Sequence, residues 1–323
     1  MKKCCFLAFV SALLLLTGCA APIPPEQSGK PEVVCSLFPY YDFVRAIGGE
    51  HVNVRLLVPA GRETHSFEPT PLDVITVSQA DIFIYNGGES EYWVEQILSS
   101  AGESIPVTVA MMDHVEALEE EIAEGMEGHD HDHSHDHGHE EGEHHHEITY
   151  DEHIWTSPVA AAQLCQAVCD ALCAADPAHA GDYQVNLEFY LKELHALDEA
   201  FRSAVSDARR CTLVFGDRFP LLYFCKTYGL DYRAAFHGCA GDTEPSLATL
   251  KYLIDKVRDE NIPVVYTIEL SSQKIAGAIA ETTGAQVRTF HSCQNVTRQE
   301  FDAGATYLSL MWNNVDVLKE GLS

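Results

Sequence analysis

Four polar residues stand where predicted strands end, and a fifth stands just ahead of a predicted helix. His65 lies in GRETHSFEPTP, after the run Val52–Val58. His153 lies in DEHIWTSP, just ahead of a helical stretch. Asp217 follows the strand TLVF, within GDRFP. Glu269 closes the strand VVYTI, and His291 directly follows QVRTF. Imidazole with carboxylate is a donor set for Zn²⁺ or, with a larger share of oxygen, Mn²⁺. Each residue alone has an ordinary explanation as surface or core; their shared position carries the argument. A second concentration lies between them, where HDHDHSHDHGHEEGEHHHE holds nine of the 17 histidines: His129, His131, His133, His135, His137, His139, His144, His145 and His146. Imidazoles at this density bind Zn²⁺, Ni²⁺ and Cu²⁺ weakly and in many geometries. Alternating with Asp and Gly they build no core, so residues 116–147 are expected to form a disordered loop, and metal capture is preferred to a merely solvated acidic one.

The elements that must position these residues alternate. Four β-rich runs come early: Val33–Leu37, Val52–Val58, Asp81–Tyr85 and Ile105–Val109. Four come late: Thr212–Phe215, Asp231–Ala235, Pro263–Ile268 and Gln286–Phe290. Helical patterns such as Tyr41–Ile47, Ser90–Leu98, Leu222–Tyr228, Ser246–Arg258, Ser272–Thr283 and Arg298–Leu322 fall among them. Alternation of this kind predicts an α/β protein with two lobes, each a mainly parallel four-stranded sheet flanked by helices. Between the sets, Gln184–Asp207 places Leu187, Tyr190, Leu191, Leu194, Leu197 and Phe201 at helical spacing, which makes it a candidate rigid connector. The expected order is a first lobe over 32–180, a connecting helix over 181–207 and a second lobe over 208–323. Ligands of open parallel sheets bind beyond the carboxyl ends of the strands. Most of the five residues therefore fall on one rim, facing a cleft between the lobes.

Composition narrows the partners. With 20 Lys+Arg against 49 Asp+Glu, the net charge of −29 repels phosphate backbones and excludes nucleic acid as a natural ligand, while it attracts cations. Lys2 and Lys3 precede a short apolar run, Phe6–Leu16, which ends in Leu16-Thr17-Gly18-Cys19. This reads as a lipoprotein signal over 1–18, with Cys19 as the lipidated residue and 19–31 as a flexible stalk. The chain is then expected outside the cytoplasm, lipid-anchored to a bacterial cell membrane and monomeric. Cys165, Cys169 and Cys173 recur every four residues among Ala, Leu and Val, which reads as one buried helix face rather than a metal site.

Several segments, in order, resemble one family. SLFPYYDFVRAIGG resembles its first strand and helix, and GRETHSFEPTPLDV the segment bearing its first His ligand. YNGGESEYW resembles its Asn-Gly…Glu-x-Trp stretch. DEHIWTSP, after a His-rich loop, resembles its Asp-Pro-His-x-Trp segment. DTEPSLATL and TYLSLMWNNVDVLKEGL also fit. The chain over about 33–323 thus resembles the ZnuA/AdcA/TroA-like solute-binding components of metal importers of the ABC type. The resemblance implies two α/β lobes joined by a long helix, with one metal in the cleft, no catalysis, and a partner permease with its ATPase. It places His65 and His153 at the first two ligand positions and His291 at the fourth. At the third, where the family has His or Glu three residues before a Phe, this chain has Gly216. Asp217 is the nearest substitute and His237, in AAFHGC, a second candidate. Glu269 is then expected to orient an imidazole from behind.

Three imidazoles and one carboxylate favour zinc over manganese. Cys239 and Cys293 flank the same rim, and the resemblance favours a disulfide between them, with thiolate ligation as the alternative. The resulting expectation is capture of Zn²⁺ and its delivery to an ABC permease. The chain has no GxxxxGK[ST] motif, so ATP hydrolysis falls to a partner. Rival readings are a manganese importer component, a surface zinc buffer or adhesin, and a zinc hydrolase; the last lacks an HExxH motif.

Overall fold

The computed structural model describes residues 29–126, 149–238 and 244–323. Cys19, the nine clustered histidines and Cys239 lie outside these residues.

The first sheet is built from β1 (Glu32–Cys35), β2 (Asn53–Leu56), β3 (Ile82–Tyr85) and β4 (Val107–Ala110), in the order β2-β1-β3-β4 and all parallel. The second repeats the plan with β5 (Thr212–Phe219), β6 (Asp231–His237), β7 (Val264–Thr267) and β8 (Gln286–Thr289), in the order β6-β5-β7-β8. The eight expected strands are all present. Parallel strands covered on both faces are apolar on both, as in β1, where Val33 and Cys35 enter one core cluster and Val34 another. In each sheet the strand order reverses beside the first strand, which opens a crevice at the carboxyl ends.

The helices are α1 (Phe38–Gly48), α2 (Pro71–Ser78), α3 (Trp93–Ala101), α4 (Pro158–Ala175), α5 (Ala180–Ser206), α6 (Leu222–Tyr228), α7 (Leu247–Asp259), α8 (Lys274–Thr283), α9 (Arg298–Asp302) and α10 (Tyr307–Leu322). Local chemistry sets their ends. Thr70 and Asp73 form a capping box on α2, and Ser157 caps α4 ahead of Pro158. The connector α5 has 27 residues and spans about 40 Å. The expected single helix Arg298–Leu322 is two, because Gly304 takes a φ of 79° and Thr306 starts a new capping box. The β5 strand also runs four residues past its expected end. Its register against β6 slips between Phe215 and Arg218, and this bulge at Gly216–Asp217 hides the strand from an alternation test.

One hydrophobic core joins the two sheets. It runs from Val33, Cys35, Ile82 and Ile84 through Phe43, Leu164, Leu172, Leu194 and Phe201 to Leu213, Phe215, Tyr266 and Phe290. The outer faces have smaller cores, around Val34, Phe83 and Trp93 in the first lobe and Val214, Val265 and Ile279 in the second. Cys165 and Cys169 are buried in the shared core, as their spacing predicts. Asp42 of α1 sits within the same layer, 3% exposed, and accepts the Tyr307 backbone N–H at 2.7 Å. Burial there pushes its carboxyl up to about 6.

Candidate metal centre

His153 is the most constrained of the site residues. It precedes a short 3₁₀ turn, Ile154–Thr156, and is 0% exposed. Its backbone N–H donates to Asp151 Oδ1 at 2.9 Å, and its ring Nδ1 faces the same oxygen at 3.3 Å. That carboxylate fixes the ring and favours the proton on Nδ1. The other nitrogen, Nε2, is buried and has no hydrogen-bond partner. A buried lone pair left without a partner is costly in an ordinary core and is the arrangement a metal ligand requires. Burial works against protonating His153, but Asp151, joined by Glu152 and Glu120, outweighs it and shifts the pKa upward.

His65 comes to this ring from the loop after β2. The two imidazole centroids lie 5.8 Å apart and nearly edge to face. Burial, then the neighbouring His153, hold His65 down at about 4, so it is neutral with a lone pair available at pH 7. The His65 loop is fastened mainly to the second lobe. Gly61 donates its N–H to Val296 O at 2.7 Å, and Asn295 Nδ2 reaches Pro59 O and Arg62 O at 3.0 and 2.9 Å. The Gln294 amide nitrogen stands 3.1 Å from His65 Nε2, and Gln294 also lines a small cavity with His153. Sequence reading missed Gln294, whose only signal is its place in the loop after β8, three residues past His291.

The other expected residues are placed differently. His291 lies on the loop after β8, 6% exposed, with its N–H on Asn314 Oδ1 at 2.8 Å. Its Nδ1 accepts the Cys293 N–H at 2.9 Å, and its Nε2 is buried without a hydrogen-bond partner, 3.9 Å from Glu300 Oε1. Glu269 does stand behind this loop. It accepts the Ser292 N–H at 2.7 Å and the Ser292 hydroxyl, while its carboxylate stays 3.6 Å from His291 Nδ1. It therefore orients the backbone of the loop rather than bonding the imidazole. Asp217 turns away from the His65–His153 pair. Its oxygens accept the Arg218 N–H at 2.9 Å and the Ile268 N–H at 3.3 Å. His237 pairs with Glu120, Nδ1 to Oε1 at 2.9 Å. Among the described residues, no three His, Cys, Asp or Glu side chains gather closely enough to hold a metal. Cys293 is fully buried, 4.0 Å from the His291 carbonyl, and its expected partner Cys239 is outside the described residues.

Gly216 has a steric reason for lacking a side chain. An ideal Cβ there would lie 2.5 Å from Ala276 Cα and 2.6 Å from its N, so α8 occupies the space a ligand would need. Two residues on, past the bulge, Arg218 crosses to the first lobe and meets Glu63 at 2.8 Å. Gly238 is similarly confined, since a Cβ would lie 2.7 Å from His153 Cε1. The end of β6 thus presses against the His153 ring.

The stems of the His-rich segment reach the same place. Glu120 donates its N–H to Thr149 O and Asp151 donates its own to Leu118 O, both at 2.9 Å, with a bridge between Glu119 and Tyr150. Asp151 is the partner of His153, and Glu120 the partner of His237.

Comparison with known proteins identifies the family and the fold. The ZnuA family profile, described as zinc-uptake complex component A, periplasmic, matches residues 33–321. The zinc-binding lipoprotein AdcA of Streptococcus pneumoniae is 31% identical over 323 residues, covering 99% of this chain. This chain spans only 61% of that AdcA relative's length. The high-affinity zinc uptake system protein ZnuA of Bacillus subtilis is 30% identical over 326 residues, covering 99% of this chain and 98% of that protein. The Zn(II)-bound ZnuA-like domain of S. pneumoniae AdcA superposes with a TM-score of 0.72 at 28% identity, covering 91% of this chain and 99% of that one. The family profile spans nearly the whole chain and the B. subtilis relative is covered almost end to end, so the protein belongs to the ZnuA family of zinc-uptake solute-binding proteins.

Proposed function

We propose that this protein captures one Zn²⁺ outside the cytoplasm and hands it to an ABC permease whose separate ATPase powers import. Cys19 carries the lipid that keeps it at the membrane. The observation that supports the reading best is the His153 ring, wholly buried, oriented by Asp151 and left with an unpartnered Nε2 beside His65. His65 and His153 form the fixed half of the site. The second lobe contributes Gln294, against His65, as a neutral oxygen donor once its amide turns, and His291, whose buried Nε2 faces Glu300 and can offer a lone pair only when Nδ1 gives up the Cys293 N–H and takes the ring proton. This imidazole-rich set favours Zn²⁺ over Mn²⁺. The carboxylates of Asp151, Glu152 and Glu120 supply the negative field that a buried dication needs. The histidines of 129–146, tethered at stems beside His153 and His237, raise the local ion concentration. Binding and release suffice for this role, and no covalent step is required.

The test is metal titration of soluble protein lacking residues 1–19, with and without residues 127–147. One zinc per chain should survive loop deletion and be lost in both His65→Ala and His153→Ala. Loss in His291→Ala would assign that imidazole as the second lobe's donor, and retention would assign Gln294. Weak multiple binding that vanishes with the loop would replace the cleft reading with a surface zinc buffer.

A further inference from the structure

Beside the site the lobes are joined by an ion pair that zinc ligation does not require. Arg218 and Glu63 are 155 residues apart, on opposite lobes, with side chains 11% and 31% exposed. The Arg218 guanidinium bonds Glu63 Oε2 at 2.8 Å, and Glu63 Oε1 accepts the His65 backbone N–H at 3.4 Å. A chain of contacts therefore runs from β5, through one guanidinium and one carboxylate, to the backbone of a metal-facing imidazole. The bulge at Gly216–Asp217 turns Arg218 into this position. The same two side chains line a cavity of about 650 Å³ that opens to solvent. The other ties on this loop, through Asn295 and Val296, hold residues 59–62. Arg218 and Gln294 are the second-lobe groups that reach residues 63–65.

We propose that Arg218 is a positioning residue, and that its pair with Glu63 is a clasp across the lobes which sets how fast bound zinc leaves. Arg218 acts by fixing the His65 backbone, so that His65 withdraws only when the clasp parts. A planar guanidinium holds a carboxylate in a defined direction, which suits this task better than a mobile ammonium. The proposal rests on the zinc reading above.

Zinc release into excess chelator would be followed by stopped flow in the wild type, Arg218→Met, Glu63→Gln, the double variant and the charge swap Glu63→Arg/Arg218→Glu. Each single variant should release zinc about 10-fold faster, with the double no faster than either single, because both cut one link. The swap should recover only part of the wild-type rate, because an arginine at 63 restores the ion pair across the lobes but cannot accept the His65 N–H; loss of packing alone would permit no recovery. Unchanged or slower release in the single variants, or additive effects, would overturn the clasp; slower release would mean that Arg218 merely repels the dication. Hydrogen exchange on metal-free protein supplies a readout independent of zinc. The His65 amide should exchange faster in both single variants. Failure of the wild type to hold zinc, with the exchange effect present, would refute the zinc reading and leave the clasp standing. Unaltered exchange would refute the clasp itself.

Discussion

Placing an imidazole at Gly216 should damage this protein rather than add a ligand to its site. In Gly216→His the trouble begins at the first added carbon. Its Cβ would sit 2.5 Å from Ala276 Cα, 2.6 Å from Ala276 N and 2.8 Å from Ala276 Cβ. Ordinary contact starts near 3.4 Å, so α8 would have to retreat by roughly 0.9 Å. Two of the three obstacles are backbone atoms, which no rotamer change removes, and α8 packs Ala276 and Ile279 into the outer core of the second lobe. Overpacking of this kind costs about 1–3 kcal/mol. For a protein of this size, that lowers the melting temperature by roughly 2–5 °C. Gly216→Ala should cost nearly as much as Gly216→His, since the clash is complete at Cβ. Zinc affinity, measured by competition with a fluorescent chelator, should stay level or fall in both. If Gly216→His bound zinc tenfold more tightly with an unchanged melting temperature, the steric account of this position would be wrong.

Asp42→Asn should stabilise the protein in a pH-dependent way. Its carboxyl rises from 3.8 to about 6 on folding, so the folded state favours the protonated form and loses stability as pH climbs through this window. The penalty is near zero at pH 3 and reaches about 3 kcal/mol above pH 7, the Arg45 partner and the Tyr307 N–H having already offset part of the cost of burial. Urea midpoints should therefore favour Asp42→Asn by about 1–3 kcal/mol at pH 7.5 and show no gain at pH 3.5; a loss at pH 7.5 would mean the ionised pair is itself stabilising. Asp151→Asn should weaken zinc binding about 10–100-fold with little change in melting temperature, because it disturbs the orientation of His153 rather than the core; unchanged affinity would show that the ring is held by packing alone. Asn295→Ala should lower stability by about 1–3 kcal/mol, since it removes the donors to Pro59 O and Arg62 O from a residue 2% exposed, and denaturant unfolding with an unchanged midpoint would contradict this.

Sheet architecture was legible because parallel strands buried on both faces leave short apolar runs that few other structures produce. The place of His65 in the loop after β2 was legible for a related reason, since strand ends are visible; His153 follows no strand, and its signal was the DEHIWTSP segment ahead of α4. Three things were not. The bulge in β5 breaks alternation, so Arg218 was read as lying past the strand instead of within it. Gly216 seemed merely to lack a ligand, because the approach of α8 is a contact between residues 60 apart and leaves no local mark. Gln294 escaped notice because an amide is a weak donor on composition grounds. Only the loop geometry brings it to His65.

The core that runs unbroken from one sheet to the other bears on how such a protein is inherited and engineered. Neither lobe owns its inner face: Leu164, Leu194 and Phe201 belong to one cluster with residues of both sheets. Calorimetry should accordingly record one endotherm, with van't Hoff and calorimetric enthalpies in agreement, rather than two lobes melting in turn. Chimeras that exchange one lobe between distant relatives would pair mismatched halves of a single packed layer. A successful exchange must carry α4 and α5 along with their sheet, so the crossover point in any recombined gene belongs after Ser206.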